Sequence, residues 1–270
     1  MDRDDIEQLT DQIRAEASQT CPPVDLERIA AEEGILLAPS DYGPGFDGRI
    51  EFDRRRGKFI IFFQRAGESY PRSRVRFTAA HELGHYFLPA HRGLLVSGKA
   101  ITSKPGFVCN NELEREADHF AASLLLPREA MNEQLERRKF LTLKDLLELA
   151  RTWQCSATSA AIRYVQYVSE PVSVVLSREG QILFYIASED AAYRGFRCLG
   201  NKQVPAGTVT EDASGCVGHG EVAGRQSDSE TWFSPRRATC PVWEEAFPLG
   251  YTGLVLTLLA LELEDGEEKE

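Results

Sequence analysis

The segment His81-Glu82-Leu83-Gly84-His85 constrains this chain more than any other. Two histidines four residues apart on a helix leave the same face about one turn, ~6 Å, apart, and their rings can converge on one tetrahedral ion. Glu82 sits about 100° round from His81, beside such an ion rather than on it. A carboxylate is needed there to take a proton from water and pass it to a leaving amine. The flanks Val75, Phe77, Ala79, Ala80, Leu83, Tyr86, Phe87 and Leu88 are mostly apolar. Two imidazoles embedded in such a helix need a reason, because burying polar rings without partners is costly.

A third ligand is expected from a later helix, and the helical pattern over residues 110–126 offers Glu112, Glu114, Glu116, Asp118 and His119. Its apolar stripe is Leu113, Ala117, Phe120, Ala121, Leu124 and Leu125. Glu114 and Asp118 flank that stripe on its Ala121 side, whereas Glu116 and His119 point toward the opposite surface. The expected ligands are therefore His81, His85 and Glu114, with Asp118 one turn on to accept from a histidine N–H and Glu116 as the fallback. Two imidazoles and a carboxylate suit zinc and also admit manganese or iron. His91 and His219 read as ordinary loop residues, and Tyr86 or another tyrosine is a candidate for helping to stabilise an oxyanion. The six cysteines contain no C-x-x-C pair and read as reduced core residues.

The rest of the chain organises around that centre. Helical patterns span residues 4–17 and 25–33, the second with Asp25 as N-cap and Gly34 as stop. Strands are expected at 35–38, 48–52 and 58–64, the last two as a hairpin around the charged turn 53–57. The run Phe59-Ile60-Ile61-Phe62-Phe63 reads as a buried strand, either an inner strand or one bordering the cleft and pairing with an extended peptide. A helix over 73–88, a loop around 89–107, the helix over 110–126 and a short helical piece near 128–138 follow. Residues 142–152 and 157–168, broken at 153–156, resemble a helix-turn-helix. Beyond residue 170 the character turns to β, with strands at 172–176, 181–187 and 251–261 around a glycine-containing, loop-rich stretch.

The net charge of −11 argues against nucleic-acid binding, which needs clustered cations. The second helix of the helix-turn-helix candidate carries one cation, Arg163, where recognition helices present several polar and basic groups. A locally basic stretch from Arg49 to Arg76 reads as a solvated hairpin tip rather than a docking patch. The acidic N-terminus and the lack of a long apolar run predict a cytoplasmic protein.

The segments Arg76-Phe77-Thr78-Ala79-Ala80-His81-Glu82-Leu83-Gly84-His85-Tyr86, Glu114-Arg115-Glu116-Ala117-Asp118-His119-Phe120-Ala121-Ala122 and Leu124-Leu125-Leu126-Pro127 closely resemble the ImmA/IrrE family of bacterial metallopeptidases. Pro22-Pro23-Val24-Asp25-Leu26 fits as well, and the resemblance covers roughly residues 20–168. It implies zinc held by the two histidines and a glutamate of the second motif, catalysis by Glu82, and cleavage of helix-turn-helix transcriptional repressors in a stress or mobile-element response. The implied fold is α+β. A mainly helical zincin-like peptidase domain with a small sheet would span 1–138, a helix-turn-helix segment 139–170, and a β-rich, GAF-like sensor domain 171–270. Two other functions remain open from the residues. One is a non-catalytic regulator with a structural metal, binding a partner or small ligand through its C-terminal domain. The other is a DNA-binding regulator, disfavoured by charge.

Overall fold

The computed structural model describes residues 1–19, 21–43, 46–67, 70–99, 101–103, 111–198, 202–215, 220–234, 239–250 and 253–262. In chain order the elements are α1 (Arg3–Glu16), α2 (Leu26–Glu32), β1 (Leu36–Ser40), β2 (Gly48–Asp53), β3 (Lys58–Gln64), α3 (Arg72–Phe87), α4 (Pro89–Val96), β4 (Ile101–Ser103), α5 (Glu112–Leu125), α6 (Arg128–Arg137), α7 (Leu143–Trp153), α8 (Ala157–Tyr167), β5 (Val172–Arg178), β6 (Gln181–Ala187), α9 (Glu189–Tyr193), α10 (Val209–Ser214), β7 (Ala223–Asp228), α11 (Ser229–Trp232), β8 (Pro241–Pro248) and β9 (Leu254–Leu261). Among the described residues the protein is thus mixed α and β, with eleven helices and two sheets. It divides into two compact units: Met1–Ala130 with Ala150–Ser156, and Met131–Leu149 with Ala157–Glu270.

The second unit carries an antiparallel sheet in the order β6-β5-β9-β8-β7. Its central strands β5 and β9 are buried almost throughout, which is why the apolar residues of each run together rather than alternate. The stretch between β6 and β9, expected to be loop-rich, instead holds three short helices and strands β7 and β8 in its described parts. Strand β8 alternates inward and outward as a half-buried strand should, but Glu244 occupies an inward position and hides the pattern. That carboxylate is fully buried and accepts hydrogen bonds from Thr210 N at 2.8 Å, Thr210 Oγ1 at 2.7 Å and Trp232 Nε1 at 3.2 Å. Arg163, the cation of α8, is also fully buried, and it donates to the Tyr167 hydroxyl at 2.7 Å.

In the first unit the sheet order is β1-β3-β2-β4. Strand β3 pairs in parallel with β1 and antiparallel with β2, placing Ile50 opposite Ile61 with both inaccessible. An inner strand has no free edge, so β3 cannot add a substrate strand. The β2–β3 turn closes through Asp53, whose carboxylate accepts from Arg55 N and Arg56 N, and through Gly57 at φ +64°. Much of the basic stretch is spent locally. Arg49 pairs with Glu51, Arg74 with Asp47, and Arg54 donates to the carbonyls of Val96 and Ser97.

The described part of the expected loop at 89–107 is ordered as α4 and β4. Pro89 misleads there: at the first position of a helix its missing N–H costs nothing and its fixed φ helps the helix start. Cysteines 21, 155, 198 and 240 form no disulfide. The core expectation holds for Cys155, which is buried, and fails for Cys21, which is exposed. Cys109, Cys216, His219 and most of the acidic tail lie outside the described residues.

Helix α3 packs against β2, β3 and α5, and α5 also receives α1. Residues Thr78 through Tyr86 of α3 are all buried, as are Ala117, Phe120, Ala121, Leu124 and Leu125 of α5. The two helices touch where Gly84 meets Phe120: a Cβ added at Gly84 would lie 3.0 Å from Phe120 Cδ1 and 3.2 Å from its Cβ. Phe120 is itself fixed by stacking on Phe87 and by complete burial. Replacing Gly84→Leu should therefore overpack this contact and cost about 1–3 kcal/mol, beyond what the better helix propensity of leucine returns. Urea denaturation would show a lowered midpoint, and an unchanged midpoint would contradict the close approach.

Candidate metal centre

Helix α3 presents His81 and His85 one turn apart, and α5 brings Glu114 to meet them. His81 Nε2 lies 3.1 Å from His85 Nε2 and 3.2 Å from Glu114 Oε2, and His85 Nε2 lies 3.6 Å from Glu114 Oε1. These three residues are the group among the described residues whose donor atoms can share one ion. Zinc bonds of 2.0–2.1 Å at tetrahedral angles separate neighbouring donors by about 3.3 Å. The His81–His85 and His81–Glu114 separations lie close to that value, and the other oxygen of Glu114 faces His85, so the donor set fits zinc in chemistry and in spacing.

The other expected residues also find places. Asp118 accepts at 2.9 Å from His81 Nδ1, the nitrogen turned away from the convergence. Glu82 is fully buried against the sheet, and a Cβ added at Gly48 of β2 would come within 2.5 Å of Glu82 Oε1 and 2.6 Å of Thr78 Cγ2. Only glycine leaves room for the carboxylate there. Glu116, the fallback ligand, points away from the group and lies 2.8 Å from His91 Nε2, while also bonding the ammonium of Met1. His119 turns to α1, where its Nε2 lies 3.2 Å from the buried Glu7 and Ser123 donates to the same carboxylate at 2.7 Å.

Two residues differ from expectation. His91 is not a loop residue: it sits on α4, inaccessible, with Nδ1 2.8 Å from His85 Nδ1. Spacing alone could not find it, because the chain must turn at Leu88 before α4 carries the ring back beneath His85. Tyr86 faces away from the donor group, its hydroxyl donating to Glu33 at 2.8 Å with Arg92 stacked over its ring. Tyr70, just before α3, meets that helix at Thr78, one turn before Glu82: its hydroxyl is 3.0 Å from Thr78 Oγ1 and donates to Asp47 at 2.8 Å. Burial, reinforced by Asp47, pushes the Tyr70 pKa up to about 12, so it remains a donor.

The electrostatics describe a site that wants a cation. Burial opposes charge on His81, yet Asp118, Glu114 and the nearby Glu82 outweigh it and raise its pKa to about 10. Burial, with the positive charge on His81, drives His85 down to about 2. Burial also lowers His91, against the opposing pull of Glu116. In the metal-free protein one proton on His81 thus holds the place between carboxylates. Its stabilisation is complete below the unfolded value near 6.5 and is lost as pH rises through about 10, whereas that of neutral His85 is present above 6.5 and lost as pH falls toward about 2.

A bound ion must displace the His81 proton. Zinc affinity should therefore rise by about tenfold per pH unit between roughly 7 and 10, with about one proton released. Calorimetry in buffers of different ionisation enthalpy counts that proton; pH-independent binding without proton release would contradict this protonation state.

Residues 52–164 match the family model described as the IrrE N-terminal-like domain, Peptidase_M78. No curated protein matches the chain. Among solved structures, a Mycobacterium tuberculosis transcriptional regulator is similar with a TM-score of 0.59 and 12% identity, covering 95% of this chain and 76% of that one. At that identity the likeness concerns the fold. The matched span includes α3, α5 and all three converging donors, and over residues 52–164 the chain is similar to the IrrE N-terminal-like domain of the Peptidase_M78 family.

Proposed function

We propose that this chain is a zinc-dependent endopeptidase of the ImmA/IrrE type that cleaves a helix-turn-helix transcriptional repressor in a stress or mobile-element response. The observation that carries the reading is the convergence of His81, His85 and Glu114 on one point, with Glu82 of the same motif buried beside them. His81, His85 and Glu114 would hold the ion, and manganese or iron are alternatives to zinc. When bound, the ion supplies positive charge that makes a water more acidic and polarises a carbonyl. Glu82 takes the proton from water as its oxygen adds to the scissile carbonyl carbon, and returns a proton to the amine as the C–N bond breaks. Asp118 holds the His81 ring with Nε2 facing inward.

Three donors are the count of a catalytic centre, since structural zinc sites are closed by four protein ligands. Among the described residues no fourth carboxylate, thiol or imidazole joins the group. This favours the peptidase over a regulator with a structural metal. The substrate class follows from family resemblance alone. In this reading residues 1–138 form a zincin-like peptidase domain, 139–170 a helix-turn-helix segment that docks protein, and 171–270 a GAF-like sensor, the five-stranded antiparallel sheet supporting the last. Burial of Arg163 supports a packing role for α8 over DNA recognition. No helix of the described residues is long and apolar enough to cross a membrane, and the reading places the protein in the cytoplasm.

Replacing Glu82→Gln should leave zinc stoichiometry intact while abolishing cleavage of a co-expressed repressor, a loss of at least 10²-fold. Retained cleavage would sink the mechanism. Replacing Gly48→Ala places a methyl where the Glu82 carboxylate lies and should reduce cleavage with zinc still bound; full activity in this variant would contradict the buried position of Glu82.

A further inference from the structure

Two groups that no part of the zinc reading requires, His91 and Glu116, form a line behind His85. Its Nδ1 lies 2.8 Å from His91 Nδ1, and His91 Nε2 lies 2.8 Å from Glu116 Oε2. Both rings are inaccessible to solvent. With both rings uncharged, the form their complete burial favours, each contact has one polarity. An ionised carboxylate only accepts, so His91 Nε2 must carry the proton. A neutral imidazole has one N–H, which leaves His91 Nδ1 as an acceptor and obliges His85 Nδ1 to be the donor. The His85 proton is thereby fixed on the nitrogen facing away from His81 and Glu114, and its Nε2 lone pair is turned toward them.

We infer that His91 and Glu116 are positioning residues that lock the tautomer and ring orientation of His85 for metal binding, as Asp118 does directly for His81. Glu116 reaches the ligand through a second histidine because α4 intervenes: it enters at Pro89, and His91 and Leu95, one turn apart, form its buried face. The assignment rests on the ion-binding reading given above and adds residues that reading does not use. It also gives Glu116 a use that its failure as a direct ligand leaves open.

The test uses the full-length chain with zinc as the probe and compares wild type, His91→Phe, His91→Asn and His81→Ala. Long-range ¹⁵N–¹H NMR of the metal-free wild type should show His85 protonated at Nδ1. The phenylalanine variant removes the acceptor, so His85 should shift toward protonation at Nε2 and zinc affinity, measured by competition with a chromophoric chelator, should fall by about 10–100-fold. Asparagine restores an oxygen acceptor near the position of Nδ1 and should recover most of that affinity, which a merely space-filling role for His91 does not predict. Wild-type His85 protonated at Nε2, or unchanged affinity in His91→Phe, would overturn the relay. Failure of the ion-binding reading looks different: zinc would bind wild type and His81→Ala alike, while the tautomer measured without metal would still report on the relay.

Discussion

The contact between Gly84 and Phe120 sets everything else at the site. Because residue 84 has no side chain, α5 approaches α3 until an added Cβ would press on the phenylalanine ring. At that separation a carboxylate side chain on α5 reaches the imidazoles of α3, so Glu114 meets both Nε2 atoms and Asp118 meets the opposite nitrogen of His81. The same glycine lies between His81-Glu82 and His85, so one segment supplies two of the converging donors, a buried carboxylate beside them and the clearance that lets the third donor arrive. The sheet provides the corresponding clearance on its side: β2 passes over Glu82 with Gly48, where any larger residue would displace the carboxylate.

A charge balance follows from this packing. Two imidazole nitrogens and a carboxylate held 3.1–3.6 Å apart in a buried setting repel one another unless a positive charge lies among them. In the metal-free protein a proton on His81 supplies it, which explains why two adjacent histidines of one helix are driven in opposite directions. The outward nitrogens are occupied by Asp118 and by His91, so neither ring can turn without losing a hydrogen bond. Both rings are thus oriented by the fold itself, with their Nε2 atoms toward Glu114.

How much of this the sequence reveals depends on how local the cause is. The placement of His81, Glu82 and His85 needs only the 3.6-residue turn, and the choice of Glu114 over Glu116 needs only the position of the apolar stripe on α5. The hairpin 48–64 and the buried strands β5 and β9 are likewise legible, because apolar runs bounded by turn residues have few other readings. His91 was not legible: its role depends on Pro89 starting a helix rather than ending one, and on the angle at which that helix doubles back. Strand β8 was hidden by Glu244, whose burial makes sense only once Thr210 and Trp232 are seen to satisfy it. Tyr86 could be read as near the motif but not as facing Glu33, since five residues along a helix carry a side chain to another face.

X-ray absorption at the zinc edge of the metal-loaded 270-residue chain reads the three-donor centre itself. One zinc per chain is expected in an all nitrogen and oxygen shell of about four atoms at roughly 2.0–2.1 Å, with the outer-shell scattering of two imidazoles and one position open to exchange with solvent. A sulfur scatterer, a number of imidazoles other than two, or a shell closed by four protein ligands would contradict it.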